Sequence, residues 1–541
     1  MTPPRATCAI DLATDEPWIR VRRFDGSSTQ VTIREALINA DEYVQVAGEL
    51  ATQDVAILRL LVTIVRRAHP GLRTSSQWQS LWERQRFDST VIDTYIGAHV
   101  QRFDLLDDEA PFFQVAGLHT TKGEMTELAR LIADVPNGHQ YFTTRARDAV
   151  TSMSFAEAAR WLVHAQAFDV SGIKSGAVGD DRVKGGKGYP IGTGWCGWLG
   201  LVVVEGANLF ETLMLNLPLD PAWGDDDLPV WERPPQGPGV EVRPHAPTGP
   251  ADLFTWQSRR IRLGHDGERV TGVLIANGDP LHPRDLFRAE TMTGWRRSEA
   301  QEKALKSADP IYMPRAHMPD RAVWRGLGSL LAGTDLTAST RAGRWLEWLS
   351  ELKEEEVLPP SYPLRLRTVG MHYGAQSSVI EDITDDVLPL SLAVLSDPPL
   401  KALAIDAVTD VDAAIRALGQ FADELARASG ADRDLGDSHR TEAREQGYAA
   451  LDASYRAWVR TLSVDTDRDA AREAWQRQVR REVIAVMRQL LDSASPGAWS
   501  GTFIDGDLRR PLNAATATNW FYLNLAKALP LTRQRAEGAT T

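Results

Sequence analysis

The chain has 541 residues, 43% of them hydrophobic and 25% charged, so it is long enough for two domains and has the makeup of a folded, water-facing protein. A net charge of −13 excludes a protein that coats nucleic acid with its whole surface, though not one that touches it through a few loops. No apolar run reaches the roughly 18 residues of a membrane span, Met1 to Asp15 lacks a signal-like apolar core, and Cys8 and Cys196 make no disulfide framework. A cytoplasmic protein with no membrane partner is expected.

Along the chain, Trp18-Ile19-Arg20-Val21 and Gln30-Val31-Thr32-Ile33 flank the turn Asp25-Gly26-Ser27-Ser28 and read as a hairpin. A helix is predicted from Thr32 through Leu37, and a second over Ala51 to His69, stopped by Pro70-Gly71. Helical spacing returns at Ser75 to Arg84, Ser89 to Tyr95 and Phe155 to Gln166. From Phe168 to Gly200 glycine becomes dense, punctuated by Lys174, Arg182, Lys184 and Lys187, and an apolar run follows at Leu199 to Val204. Asp220 to Pro250, rich in Pro, Gly and Asp, reads as a long surface loop. Next comes a hairpin, Arg260 to Leu263 and Arg269 to Val273 around Asp266-Gly267, in a stretch from Trp256 to Gly326 with 13 Lys/Arg against 9 Asp/Glu.

After Ser378 the chain reads as largely helical. Ala402 to Ser429, Thr441 to Val464, Asp467 to Leu491 and Ala514 to Leu529 carry apolar residues three and four apart, the pattern of an up-and-down bundle. The fold class is therefore α+β: a large mixed α/β domain over residues 1–397, then a four-helix bundle over 398–541, divided near Asp397-Pro398-Pro399. Trp458, Trp475 and Trp520 are expected in the bundle core.

Enzyme signatures are weak. The 11 histidines do not cluster, and no spacing suits a metal, so no metal or cofactor is expected. Asp437-Ser438-His439 reads as a solvated bundle loop rather than a triad. Gly192 to Gly197 matches Gly-x-Gly-x-x-Gly, but a glycine loop precedes it and a β-branched run follows, the reverse of a dinucleotide site. Gly185-Gly186-Lys187-Gly188 lacks the other residues of a phosphate loop.

Several segments in order resemble the large subunit (CasA family) of Cascade, the type I-E CRISPR surveillance complex. These are the opening hairpin, the helix around Leu58-Arg59-Leu60-Leu61, Ala110-Pro111-Phe112-Phe113-Gln114 with Gly117, Ile173-Lys174-Ser175-Gly176, and Gly370 to Ser378. The resemblance implies a non-catalytic protein whose partners are other Cascade subunits, the 5′ end of the guide RNA, double-stranded target DNA and the helicase–nuclease. It also implies recognition of the protospacer-adjacent motif (PAM), with sequence proper read by guide pairing.

By the same resemblance Gln376 is a wedge pushed into the duplex, with Gly370 and Gly374 allowing the loop its backbone. Gly374 and Ala375 stand where the family often has polar residues. Ser171 and Gly172, ahead of Lys174, match the family's glycine loop and would face the minor groove; Gly185 to Gly188 is the alternative run. The family's lysine finger falls on Gly264 to Arg269, where Arg269 or His265 takes its place. The hairpin lacks the cysteine pairs some relatives carry, so no zinc is expected. Phe142, inside Pro136 to Arg147, resembles the loop that reaches the guide RNA, with Arg145 and Arg147 for phosphates. Two further readings stand beside this one: a free-standing acidic cytoplasmic hydrolase with a helical accessory domain, marked by coupled carboxylates in a pocket, and a scaffold that docks protein only.

Overall fold

A computed structural model describes residues 10–135, 145–240, 246–331, 339–503 and 511–532. The chain forms two compact units. The first takes Met1–Arg321, Ala332–Leu358 and Leu364–Val387; the second takes Ala322–Leu331, Pro359–Pro363 and Leu388–Thr541.

The first unit opens with the expected hairpin, Ile19–Arg23 against Ser28–Val31, with Tyr43–Val46 added on the other edge. Ile33 leaves the strand for a helix, Ile33–Ile38, because Thr32 and Glu35 form a capping box. The helix Ala51–Ala68 ends at His69, just before Pro70, and is buried along almost its whole length. Such burial forces its one mid-helix cation, Arg59, to find an anion inside. Arg59 meets Glu290 through two bonds of 3.0 and 2.9 Å, and its guanidinium lies 3.7 Å above the Phe254 ring. Trp195 Nε1 and the Met292 amide donate to the same carboxylate at 2.7 and 2.9 Å, so every lone pair is used. The helix Phe155–Phe168, capped by Ser154, is also mostly buried. Gln114, from the Pro-Phe segment, accepts from the Leu263 amide at 2.8 Å and donates to the Leu105 carbonyl at 2.8 Å, which holds the long hairpin Arg259–His265 and Val270–Asn277.

One prediction fails here. Residues after Ser378 do not turn helical at once: Ile380–Ser391 is a strand, paired with Pro363–Tyr373, which pairs in turn with Leu201–Glu205. Four acids in Ile380 to Val387 hide the alternation, yet Thr384, Leu388 and Leu390 are the buried positions and share one face. The same strand pair is tied by Arg367, which clamps Asp385 at 2.7 and 2.9 Å and also reaches Asp54 at 3.0 Å.

In the second unit four long helices, Pro398–Ala428, Arg433–Val459, Arg468–Asp492 and Ala514–Ala528, form the helical region. The first touches each of the others. It starts four residues earlier than periodicity suggests, since Asp397 caps it at the Leu400 amide (3.0 Å) and prolines suit a first turn. The second starts at Arg433, capped by Asp432, so Asp437-Ser438-His439 lies on a helix and not in a loop. Trp475 is fully buried and donates to the Ala407 carbonyl at 3.1 Å; Trp458, half-buried, stacks on it at 5.1 Å, and Trp520 is half-buried.

Glu290→Gln leaves Arg59 buried without a counter-charge. Loss of one partner of a buried pair costs about 3–5 kcal/mol, so we expect a clearly lower urea midpoint for the first unit. An unchanged midpoint would show the pair to be dispensable.

Candidate nucleic-acid interface

Residues 374–379 turn between the strands Pro363–Tyr373 and Ile380–Ser391, so the segment from Gly370 to Ser378 is the end of a hairpin. Its backbone differs from expectation. Gly370 sits inside the strand and Gly374 has φ −73°, so neither supplies a left-handed turn. Gln376 (φ 57°) and Ser377 (φ 53°) do so themselves. For side chains of this size that conformation costs on the order of 1–2 kcal/mol each, and it persists only where neighbours impose it. The neighbours are identifiable. The Gly374 amide donates to the Val379 carbonyl at 3.0 Å, Ser377 N to Gly374 O at 2.9 Å, and Ser378 Oγ to Ala375 O at 2.9 Å. Gly374 is needed for space, because a Cβ there would meet Glu381 Oε1 and the Val379 side chain. Ala375 and Gln376 point outward and are exposed.

The loop is fixed to a second one. The Ser171 amide donates to the Ser377 carbonyl at 2.8 Å, and Tyr373 Oη donates to the Phe168 carbonyl at 2.6 Å. Ser171 and Gly172 are thereby brought beside Gln376. Gly172 has φ 147°, open space where a Cβ would stand, and an exposed neighbour in Ile173. The two glycine runs belong to one small ribbon, since Lys174–Ser175 pairs with Lys187–Gly188. Gly185 and Gly186 take positive φ at its turn, and Lys184 and Lys187 are exposed there.

Lys174 does not face outward. Its ammonium lies 2.6 Å from Asp169 and is largely buried. Arg259 shares that carboxylate through Nε and donates to the Val170 and Gly192 carbonyls at 3.0 and 2.7 Å. Burial alone would raise the Asp169 carboxyl, but Lys174 and Arg259 outweigh it and hold it below its usual range. Burial pulls the Lys174 ammonium down, with Asp169 opposing. Lys174 therefore secures the glycine loop from inside, and direct contact with DNA would require it to leave Asp169.

The hairpin tip is elsewhere. His265 and Arg269 are exposed around the turn at Asp266-Gly267 (Gly267 φ 106°), and Arg269 Nε donates to Ser152 Oγ at 2.8 Å. His265 is six residues beyond Arg259, on the order of 20 Å along the strand. The helix Phe155–Phe168 spans a similar gap, from Phe155 against His265 to Gln166 against the Arg259 backbone. The tip and the Gln376–Ser171 pair thus occupy opposite ends of one helix.

Arg145 pairs with Glu157 (2.6 Å) and Asp134 (3.3 Å), and Arg147 pairs with Glu127. Phosphate contact by either requires exchange of those partners. Phe142 lies outside the described residues.

Sequence reasoning missed Arg259 and the role of Asp169. The signal was present: Arg259-Arg260 opens a strand between apolar residues, where two cations are tolerable only if paired. Arg260 is indeed buried against Asp279 at 2.8 Å. In the Gly192 to Gly197 segment, Gly194 and Gly197 admit the Ala167 carbonyl and Tyr373 Oη, a packing role. Between the two loops a cavity of about 220 Å3 is lined by Phe168, Val170, Ile173, Val379 and Ile380. Among the described residues no group of three His, Cys, Asp or Glu side chains is placed to hold a metal, and no helix is long and apolar enough to cross a membrane.

The family model for CRISPR-associated protein Cse1 matches residues 13–486. A CasA/Cse1 protein of Thermus thermophilus is 28% identical over 431 residues, covering 78% of this chain and 79% of that protein. The crystal structure of Thermobifida fusca Cse1 superposes with a TM-score of 0.89 at 42% identity, covering 97% and 98% of the two chains. A chain of a CRISPR RNA-guided surveillance complex shares the fold at a TM-score of 0.67 and 18% identity, covering 89% and 98%.

Two outcomes follow from the buried groups beneath the loops. Asp169→Asn leaves Lys174 and Arg259 facing one another without an anion; amide exchange should quicken at Ser171 and Ser377 and stay unchanged in the helices of the second unit. His164, buried against Thr52 at 3.0 Å, is pushed by burial down to about 3. The unfolded chain takes its proton near pH 6.5 while the folded one refuses it, so stability is complete above that pH and falls as pH drops toward 3. The slope is at most about 1.4 kcal/mol per pH unit. His164→Gln should flatten that decline, seen in urea titrations at pH 7 and pH 5.

Proposed function

The chain belongs to the CRISPR-associated Cse1 family, the CasA large subunit of type I-E Cascade, and we propose that it reads the PAM in double-stranded target DNA with the paired loops at Gln376 and Ser171-Gly172. In this reading Gln376 is a wedge that separates the first base pair beside the PAM, starting the R-loop, and the subunit then helps recruit the helicase–nuclease. It acts by binding and recruitment. The resemblance of its fold to a chain in a CRISPR RNA-guided surveillance complex supports assembly with other subunits and a guide RNA.

The observation that carries the proposal is the bond from Ser171 N to Ser377 O, which fixes an exposed glutamine in a strained turn against a glycine loop. A wedge must not relax when it meets stacked bases, and unstacking a step costs a few kcal/mol. A side chain on a hairpin tip, held by four backbone or hydroxyl bonds, meets that demand better than one on a free loop. Ser171 and Gly172 bring small groups and open space, which suits approach to the minor groove with its degenerate pattern. The loop carries no cation and has Glu381 at its base, so phosphate affinity comes from elsewhere, with Lys184 and Lys187 on the adjoining ribbon exposed for it. The exposed Arg269 and His265, about 20 Å away by strand length, would grip the duplex at a separate point.

The test is Gln376→Ala in a guide-loaded complex assembled with and without this subunit. With a matching PAM, duplex opening (read by a fluorescent base analogue beside the PAM) should slow at least ten-fold while assembly is unaffected. Normal R-loop formation by the variant would sink the wedge assignment.

A further inference from the structure

A basic stripe in this acidic chain lies far along the sequence from those loops, on the third bundle helix, Arg468–Asp492. Arg477, Arg480, Arg481 and Arg488 fall three, four and seven residues apart, so they form one stripe along a single face, about 16 Å from first to last. All four are exposed. They edge a groove of about 750 Å3 whose floor is formed by Ile484 and Ala526, the latter from the helix Ala514–Ala528. Among the described residues no carboxylate lines it.

The plain alternative is a solvated helix face. In that case the arginines should have acids three or four residues away, as Arg456 has Asp452 on the preceding helix at 2.8 Å. Here Arg477 meets Glu473 at 3.3 Å, while Arg488 has Asp492 four residues on but no ion pair with it among the described residues. Arg481 touches Gln478, and Arg480 and Arg488 have no ion pair among the described residues. Glu482, the nearest acid in sequence, faces away and accepts from Ser454 Oγ at 2.6 Å. Like charges at these spacings destabilise a helix by a few tenths of a kcal/mol each, and among the described residues only the Glu473 pair with Arg477 offsets that. An external anion would.

We propose that this groove holds the phosphodiester backbone of one single strand of nucleic acid, without regard to sequence. Guanidinium groups suit phosphate, offering paired donors at fixed spacing. Arg477, Arg481 and Arg488 fall near one line along the helix with Arg480 to one side, a narrow strip that matches one backbone; a duplex presents two, across a groove about 12 Å wide, and calls for a second row. The floor is aliphatic and, among the described residues, no aromatic ring lines it, so they offer bases no stacking platform there. This site is independent of the wedge: it needs no PAM, and Gln376→Ala should leave it untouched.

The experiment uses the isolated full-length chain and a fluorescein-labelled, mixed-sequence DNA single strand, with anisotropy followed across a salt series. Arg480→Glu combined with Arg488→Glu should weaken binding at least ten-fold at low salt. The slope of log affinity against log salt should shrink by about 1.4, at about 0.7 per lost phosphate contact. Both residues are exposed, so the melting temperature should hold; the neutral pair Arg480→Gln and Arg488→Gln should fall between. Equal affinity and slope for parent and variants would overturn the proposal, as would failure of the parent chain to bind. Loss of docking to protein partners with oligonucleotide binding intact would overturn it too, by making the stripe a protein interface.

Discussion

Where Asp169, Lys174 and Arg259 meet, two cations face one carboxylate with almost no water, and much of the first unit's geometry follows from that. Asp169 ends the helix Phe155–Phe168, its backbone amide donating to the Ala165 carbonyl, the lysine begins the ribbon, and the arginine begins the long hairpin. Arg259 also donates to carbonyls at Ser258, Asp169, Val170 and Gly192, so every guanidinium nitrogen is used. A lysine could not do this, having no planar fork to reach a carboxylate and several carbonyls at once. Buried charge of this kind is poor evidence of net stability but strong evidence of specified geometry, since any displacement strands a charge. The loop from Val170 to Gly192 therefore has one placement, and Ser171 can present its amide to Ser377.

That fixed placement gives the candidate interface its character. An exposed glutamine in a left-handed turn would relax if its neighbours were soft. The hairpin beneath it is clamped by Arg367 to Asp385 and Asp54, and its tip is bonded to the glycine loop. Rigidity runs from the buried ion pairs outward to a single amide side chain. The same logic separates functions in space. The helix Phe155–Phe168 acts as a spacer, with the Gln376 loop at one end and the Asp266-Gly267 turn at the other. In the proposed function, two points so divided would let a duplex be gripped at one place and probed at another.

The arginine stripe of the bundle differs in kind. It rests mainly on the regular geometry of a helix, and its positive charge faces outward in a chain with net charge −13. Local sign therefore matters more than the total: charges on different faces are screened over about 8–10 Å in physiological salt.

Periodicity determined much by itself. The long helices of the second unit, the opening hairpin and the Asp266-Gly267 turn were legible because each depends on neighbours within a few residues: caps, turn chemistry and one apolar face. The resemblance to CasA, carried by short motifs in order, pointed to Gln376 before any geometry was known. What sequence did not reveal depends on partners far apart. The strand Ile380–Ser391 was hidden by its acids, one of which is matched by Arg367 across the hairpin. Lys174 looked like a surface cation until Asp169 and Arg259 enclosed it, and Gly374 looked like a source of backbone freedom until Glu381 and Val379 showed it to be a matter of space. Whether a charge faces water or a buried partner, and whether a glycine serves torsion or packing, is decided by residues tens to hundreds of positions away, which only the folded chain brings together.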